Sequence, residues 1–95
     1  MNKLSVEKAL EEISAIEGLI RPYEYQSYEA TRVLNDLAAL RNALNKMDKE
    51  GVRSAVEKIS TLEARAAPYR GFGPVDEALK HAQKLKEELK KLLEE

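Results

Sequence analysis

A proline followed by a tyrosine interrupts the helical pattern of this chain at two places, Pro22-Tyr23 and Pro68-Tyr69. Proline has no amide hydrogen to donate, and it disfavours helical conformation in the residue before it. Each pair therefore predicts a bend between two helices, and the first bend is expected to move Arg21 out of helical conformation. These two segments are called the first and the second proline bend below.

Apolar residues recur at alternating spacings of three and four in four separate stretches of the chain. This spacing places them on one face of an α-helix. It predicts helices at about 5–20, 26–47, 49–66 and 74–93. The four apolar stripes are Val6, Ala9, Ile13, Ile16 and Ile20; Ala30, Val33, Leu37, Leu40, Leu44 and Met47; Val52, Ala55, Ile59, Leu62 and Ala66; and Val75, Ala78, Ala82, Leu85, Leu89 and Leu92.

Short polar residues and proline mark where these helices begin. Ser5 is predicted to cap the first helix, because its hydroxyl can accept a hydrogen bond from a first-turn amide. The second stripe changes phase after Met47, so a tight turn is predicted there, with Asp48 as the next cap. Pro74 suits the first position of the fourth helix.

The second half of the chain resembles the first. An offset of 46 residues, which lays Ala9 over Ala55, also aligns the two proline bends. The identical pairs are Ala9/Ala55, Glu11/Glu57, Ile13/Ile59, Ser14/Ser60, Glu17/Glu63, Pro22/Pro68 and Tyr23/Tyr69. Amphipathic helices match one another in Glu, Ala and Ile by composition alone, but a shared Pro-Tyr at the same phase favours duplication of a helical hairpin.

Two such hairpins, each apolar on one side, would bury those sides against each other. We therefore expect an all-α fold, an antiparallel four-helix bundle built from two duplicated helical hairpins, as one domain spanning residues 1–95. In an up-down-up-down bundle the first and third connections lie at the same end. Both proline bends are then neighbours, which concentrates the aromatic residues of the chain at one end.

Composition narrows the classes of function. The net charge is −1, and the lysines of the last helix alternate with carboxylates, so no nucleic-acid partner is predicted. There is no cysteine for a thiolate or a zinc-thiolate site, and no metal or other cofactor is predicted. We find neither a signal-peptide pattern nor an apolar run of membrane-spanning length, which predicts a soluble, cytoplasmic protein without a membrane partner.

The proline bends carry the residues most suited to contact with a partner. Tyrosine and arginine are over-represented among the residues that dominate binding energy at protein interfaces. The sequence predicts a non-catalytic interaction module that docks another protein at this end. Four candidate contacts have no counterpart in the other half of the chain, namely Tyr25, Tyr28, Arg70 and Phe72; two more, Tyr23 and Tyr69, are paired between the halves and also suit a role in closing the end of the core.

Three alternatives stay open at this point. An engineered helical scaffold would share the Lys/Glu-rich faces, short connections and internal repeat. A homodimer through the leucine-rich fourth helix is compatible with the pattern. His81, followed by Lys84, resembles the active segment of histidine phosphotransfer domains, which implies a phosphotransfer role for His81. Those domains usually have glycine at the next position, where this chain has Leu85.

Overall fold

The protein folds as an antiparallel four-helix bundle whose third helix is broken into two pieces. The computed structural model describes residues 1–95. Its α-helices are α1 (Lys3–Ile20), α2 (Tyr28–Asn45), α3 (Lys49–Ile59), α4 (Leu62–Ala66) and α5 (Gly73–Glu94). The bundle measures 36 × 20 × 20 Å.

Neighbouring helices in the bundle run in opposite directions. The largest interfaces join α1 to α5 and α2 to α3. The backbone N–H of Asn2 donates to Glu95 Oε2 at 2.6 Å, and Lys49 Nζ donates to the Glu95 carbonyl at 2.7 Å. Both termini and the turn between α2 and α3 therefore lie at one end of the bundle, and the two proline bends lie at the other.

Most residues of the predicted apolar stripes are buried, together with Leu34 and Ala43, and no polar residue is buried. Met47, at the end of the second stripe, is instead exposed over 45% of its surface. Nine large side chains are fully buried, namely Ile13, Ile16, Leu37, Leu40, Leu44, Val52, Leu85, Leu89 and Leu92. Burial of this aliphatic surface is the main favourable term in folding. None of the helices combines the length and the apolar character that crossing a bilayer requires.

The starts of α1, α2 and α3 are capped by short polar side chains, though the first cap differs from the prediction. Asn2, not Ser5, caps α1: its Oδ1 accepts from the amides of Leu4 at 2.8 Å and Ser5 at 3.3 Å. Ser27 caps α2 and Asp48 caps α3, as their short side chains favour.

Each proline bend forms one turn of 3₁₀-helix, Arg21–Tyr23 in the first and Ala67–Tyr69 in the second. The prediction that Arg21 leaves helical conformation is wrong, since its φ and ψ are −54° and −37°. Proline at the second position of a 3₁₀-turn needs no amide partner within that turn. The chain therefore turns after the proline rather than before it. Duplication of the hairpin stays a prediction from the sequence.

The third predicted helix, 49–66, is not continuous. It stops at Ile59 and resumes at Leu62, because two hydroxyl side chains compete for its carbonyls. Ser60 Oγ donates to the Glu57 carbonyl and Thr61 Oγ1 to the Lys58 carbonyl, each at 2.8 Å. The break separates α3 from the short helix α4, which leads into the second proline bend.

The turn between α2 and α3 contains Met47 in the left-handed region, with φ of 54°. The amide of Asp48 donates to the Ala43 carbonyl at 2.9 Å, and that of Met47 to the Leu44 carbonyl at 3.1 Å. This pair of bonds is the Schellman arrangement, in which glycine usually occupies the left-handed position. A side chain at that position adds steric strain against the following carbonyl.

Replacing Met47 with glycine is therefore expected to raise the free energy of unfolding by about 0.5–1 kcal/mol, because relief of strain exceeds the added freedom of the unfolded chain. Denaturant unfolding followed by circular dichroism measures the change. Lys46→Gly is the matched control, since Lys46 has a negative φ of −89°. That change should lower stability; an equal effect of the two changes would contradict the assignment of strain to Met47.

Candidate functional site

An open, mostly apolar cavity lies between the two proline bends, and we call it the bend pocket. Its volume is about 240 Å³. Side chains from the end of α1, the start of α2, α4 and the start of α5 line it together with the bends. The lining residues are Ile20, Tyr23, Gln26, Ser27, Glu29, Ala30, Val33, Leu62, Arg65, Ala66, Tyr69, Phe72 and Val75.

The bend pocket exists because the second half of the chain has smaller or more polar residues near its bend than the first. At the offset of 46, Leu19 and Ile20 of the first half correspond to Arg65 and Ala66 of the second. Ile20 contributes a full aliphatic side chain to the packing, whereas Ala66 contributes a methyl group. Space that a side chain would otherwise fill is left open.

An aromatic rim borders the pocket. The rings of Tyr23 and Phe72 meet edge to face, with centroids 5.3 Å apart and an interplanar angle of 75°. Such a pair contributes roughly 0.5–1.5 kcal/mol beyond the area it buries. Tyr69 and Phe72 still expose 48% and 47% of their surface. The rim is therefore fixed by contacts within the protein while a large part of its apolar surface faces solvent.

One wall of the pocket is charged and centres on Arg65, whose side chain is only 16% exposed. Arg65 Nη2 donates to Asp36 Oδ2 at 3.1 Å and to the Lys58 carbonyl at 3.2 Å, and Nη1 lies 3.8 Å from Glu29 Oε2. The guanidinium thus ties α4 to α2 and also adds a second side-chain donor to the Lys58 carbonyl at the break in the third helix. It is the residue that positions this wall.

The structure divides the six predicted contact residues into two groups. Tyr23, Tyr69 and Phe72 lie together around the bend pocket. The other three do not line it. Tyr25 projects from the first bend and is 96% exposed, and Tyr28 is 78% exposed. The Arg32 guanidinium lies over the Tyr28 ring, with 5.8 Å from Arg32 Cζ to the ring centroid, and Arg70 pairs with Glu63 at 3.7 Å.

The six predicted contact residues do not include those that create the cavity and its charged wall, chiefly Ala66, Arg65 and Glu29. The signal was present in the alignment of the two halves, where Arg65 and Ala66 replace two large aliphatic residues. The positions at which the two halves of the chain differ indicate where the cavity lies. They are as informative as the residues that have no counterpart in the other half. Glu29 had no such signal, because a glutamate in the first turn of a helix is ordinary.

His81 contacts a neighbouring helix. Its Nδ1 lies 2.6 Å from Glu12 Oε2, and both side chains are partly buried between α5 and α1. This ring nitrogen is engaged with a carboxylate, as in a histidine that joins two helices. No group of three or more histidine or carboxylate side chains converges in a way that could hold a metal ion.

Comparison of the chain with models of protein families, with curated proteins and with solved structures gave no match. The geometry of the bend pocket and the chemistry of its walls are therefore the basis for assigning a function.

Proposed function

We propose that the protein is a non-catalytic interaction module that docks another protein at the bend pocket and the aromatic residues around it. The observation that supports this most directly is an open apolar cavity between two aromatic bends, at the end of the bundle that carries four of the six large apolar side chains left exposed. Clustered exposed aromatics mark interaction surfaces more often than isolated ones. Tyr25 and Tyr28 extend this surface beyond the pocket.

The pocket itself favours binding over catalysis. Its charged side chains are Glu29 and Arg65, which neutralise each other. A catalytic site usually brings together a nucleophile or a general base with groups that orient it, and such a set includes titratable side chains free to exchange protons. Arg65 is held by Asp36 instead. The lining offers shape, apolar area and a few directed hydrogen-bonding groups, which is the anatomy of an interface anchor site.

Selection from a library of displayed peptides tests the proposal and does not require an identified partner. Peptides enriched on the wild-type protein should fail to bind a variant in which Tyr25, Tyr28, Arg70 and Phe72 are all alanine. Because these side chains are largely exposed, the variant should lose only about 1–2 kcal/mol of stability, chiefly from the Tyr23–Phe72 contact. Circular dichroism checks that it is folded.

Leu4→Ala is the control for this experiment, since Leu4 is an exposed apolar residue at the opposite end of the bundle. The selected peptides should bind that protein as they bind the wild type. Peptides that bind the fourfold variant with unchanged affinity, or that lose binding on Leu4→Ala, would place the interaction elsewhere and contradict the proposal.

A further inference from the structure

Three buried polar atoms have no hydrogen-bond partner within the protein, and all three belong to residues that line the bend pocket. They are Glu29 Oε2, Arg65 Nε and Arg65 Nη1. The separation of 3.8 Å between Nη1 and Oε2 is too long for a hydrogen bond. Buried groups in native proteins are nearly always satisfied, so a cluster of exceptions in the wall of one cavity calls for a physical reason.

These atoms are one acceptor and two donors, side by side. A peptide group has the complementary set, an N–H that donates and a carbonyl that accepts. The wall carries one positive and one negative side chain, so a charged ligand gains from one and is repelled by the other. The chemistry therefore favours a neutral ligand group that donates and accepts at once.

The volume of the bend pocket limits the size of the side chain that can bind there next to the peptide group. Its volume of about 240 Å³ exceeds the roughly 150 Å³ of a cavity that holds benzene. It is smaller than the roughly 300–1,000 Å³ of pockets that enclose whole drug-sized ligands. A pocket in this range of volumes holds one large apolar side chain, and the aromatic rim can contact that side chain through the edges and faces of its rings.

We infer that the bend pocket takes a single bulky apolar side chain from an extended segment of the partner, together with the peptide group next to it. Glu29 Oε2 and Arg65 Nη1 are both inaccessible to solvent in the free protein, so the side chains of Glu29 and Arg65 move apart on binding. The peptide N–H then donates to Glu29 Oε2, and the carbonyl accepts from Arg65 Nη1. An extended segment is required because a helix already uses its own peptide groups. This inference rests on the proposed function and names the partner's chemistry.

A matched pair of small probes tests the inference on the intact protein. N-acetyl-phenylalanine methylamide supplies the aromatic ring and the peptide N–H. In the second probe, O-acetyl-3-phenyllactic acid methylamide, an ester oxygen replaces that N–H with almost no change in shape. Titrations followed by amide NMR spectra should give a dissociation constant of roughly 1 mM for the first probe. The ester should bind about tenfold more weakly, the effect of one hydrogen bond to a charged acceptor.

Variants of the protein show which side chain causes the tenfold difference in affinity between the amide and the ester. In Glu29→Leu the amide and the ester should bind alike, whereas Glu63→Leu, an exposed glutamate outside the pocket, should keep the tenfold difference. Equal binding of both probes to the wild type would overturn the hydrogen bond to the peptide group. If neither probe then bound to the Ala66→Ile protein, the bend pocket would still be the binding site. Failure of both probes to shift any pocket resonance would overturn the insertion of a side chain, and the displayed-peptide selection would then decide the proposed function alone.

Discussion

A protein in which isoleucine replaces Ala66 is expected to be more stable than the wild type and to have lost its partner. Ala66 lines the bend pocket and corresponds to Ile20 in the first half of the chain. The isoleucine side chain would occupy part of the bend pocket, which the side chain of Ile20 also lines. Cavity-filling changes commonly stabilise a protein. Isoleucine has a lower helix propensity than alanine, which offsets part of this effect, so we expect the free energy of unfolding to rise by about 0.5–1 kcal/mol.

This gain corresponds to a rise in melting temperature of about 2–8 °C. Binding of selected peptides should fall by at least about 30-fold, because the position of the anchor side chain is taken and anchors of this kind carry about 2–4 kcal/mol. The combination is informative, since a destabilised protein can lose binding by unfolding but a stabilised one cannot. Differential scanning calorimetry and a peptide-binding titration measure the two effects.

Ala64→Ile is the matched control. Ala64 lies on the same short helix, is exposed and does not line the pocket. The same atoms added there should change neither stability by more than about 0.5 kcal/mol nor peptide binding. Retention of peptide binding by the Ala66→Ile protein would show that the bend pocket is not where the partner docks.

Removal of the Arg65 guanidinium is expected to have the largest effect on stability. Arg65→Met keeps the length of the side chain but leaves Glu29 and Asp36 without their shared cation. It also removes one of the two side-chain donors to the Lys58 carbonyl. Breaking a buried ion pair in this way costs about 3–5 kcal/mol, and partial exposure of the two carboxylates reduces the expected loss to about 2–3 kcal/mol. The melting temperature should fall by about 10–20 °C.

Arg53→Met serves as the comparison. Arg53 pairs with Glu50 on the solvent side of α3, and both side chains are largely exposed. An exposed pair contributes little, so this change should cost less than about 0.5 kcal/mol. Equal losses for the two variants would mean that Arg65 does not tie α4 to α2, and the account of the charged wall would be wrong.

The bundle was predictable because its core is simple. The four apolar stripes repeat at helical spacing, and the residues they predict to be inside, such as Leu37 and Leu85, are fully buried. Short connections then leave few ways to arrange four helices. The break in the third helix was not predicted, because the apolar stripe continues in phase across it. The adjacent hydroxyls of Ser60 and Thr61 were the available signal, and their effect depends on whether they donate to the backbone.

The candidate site was predictable only in outline. The rule that the first and third connections share an end brought the two proline bends together, and Tyr23 and Tyr69 indeed line one cavity. The cavity itself depends on a missing side chain at Ala66 and on the direction that Phe72 takes after the second bend. A single sequence gives residue types at these positions, but side-chain direction and empty volume follow from packing.

The most direct test of the central claim is a measurement of nuclear Overhauser effects from the ring of bound N-acetyl-phenylalanine methylamide to the protein. If both proline bends form one pocket for an apolar side chain, that single ring should contact the ring protons of Tyr23 and Tyr69 and the methyl group of Ala66 in the same complex. Contacts to one bend alone, or to Leu4 and Met47 at the opposite end of the bundle, would contradict it.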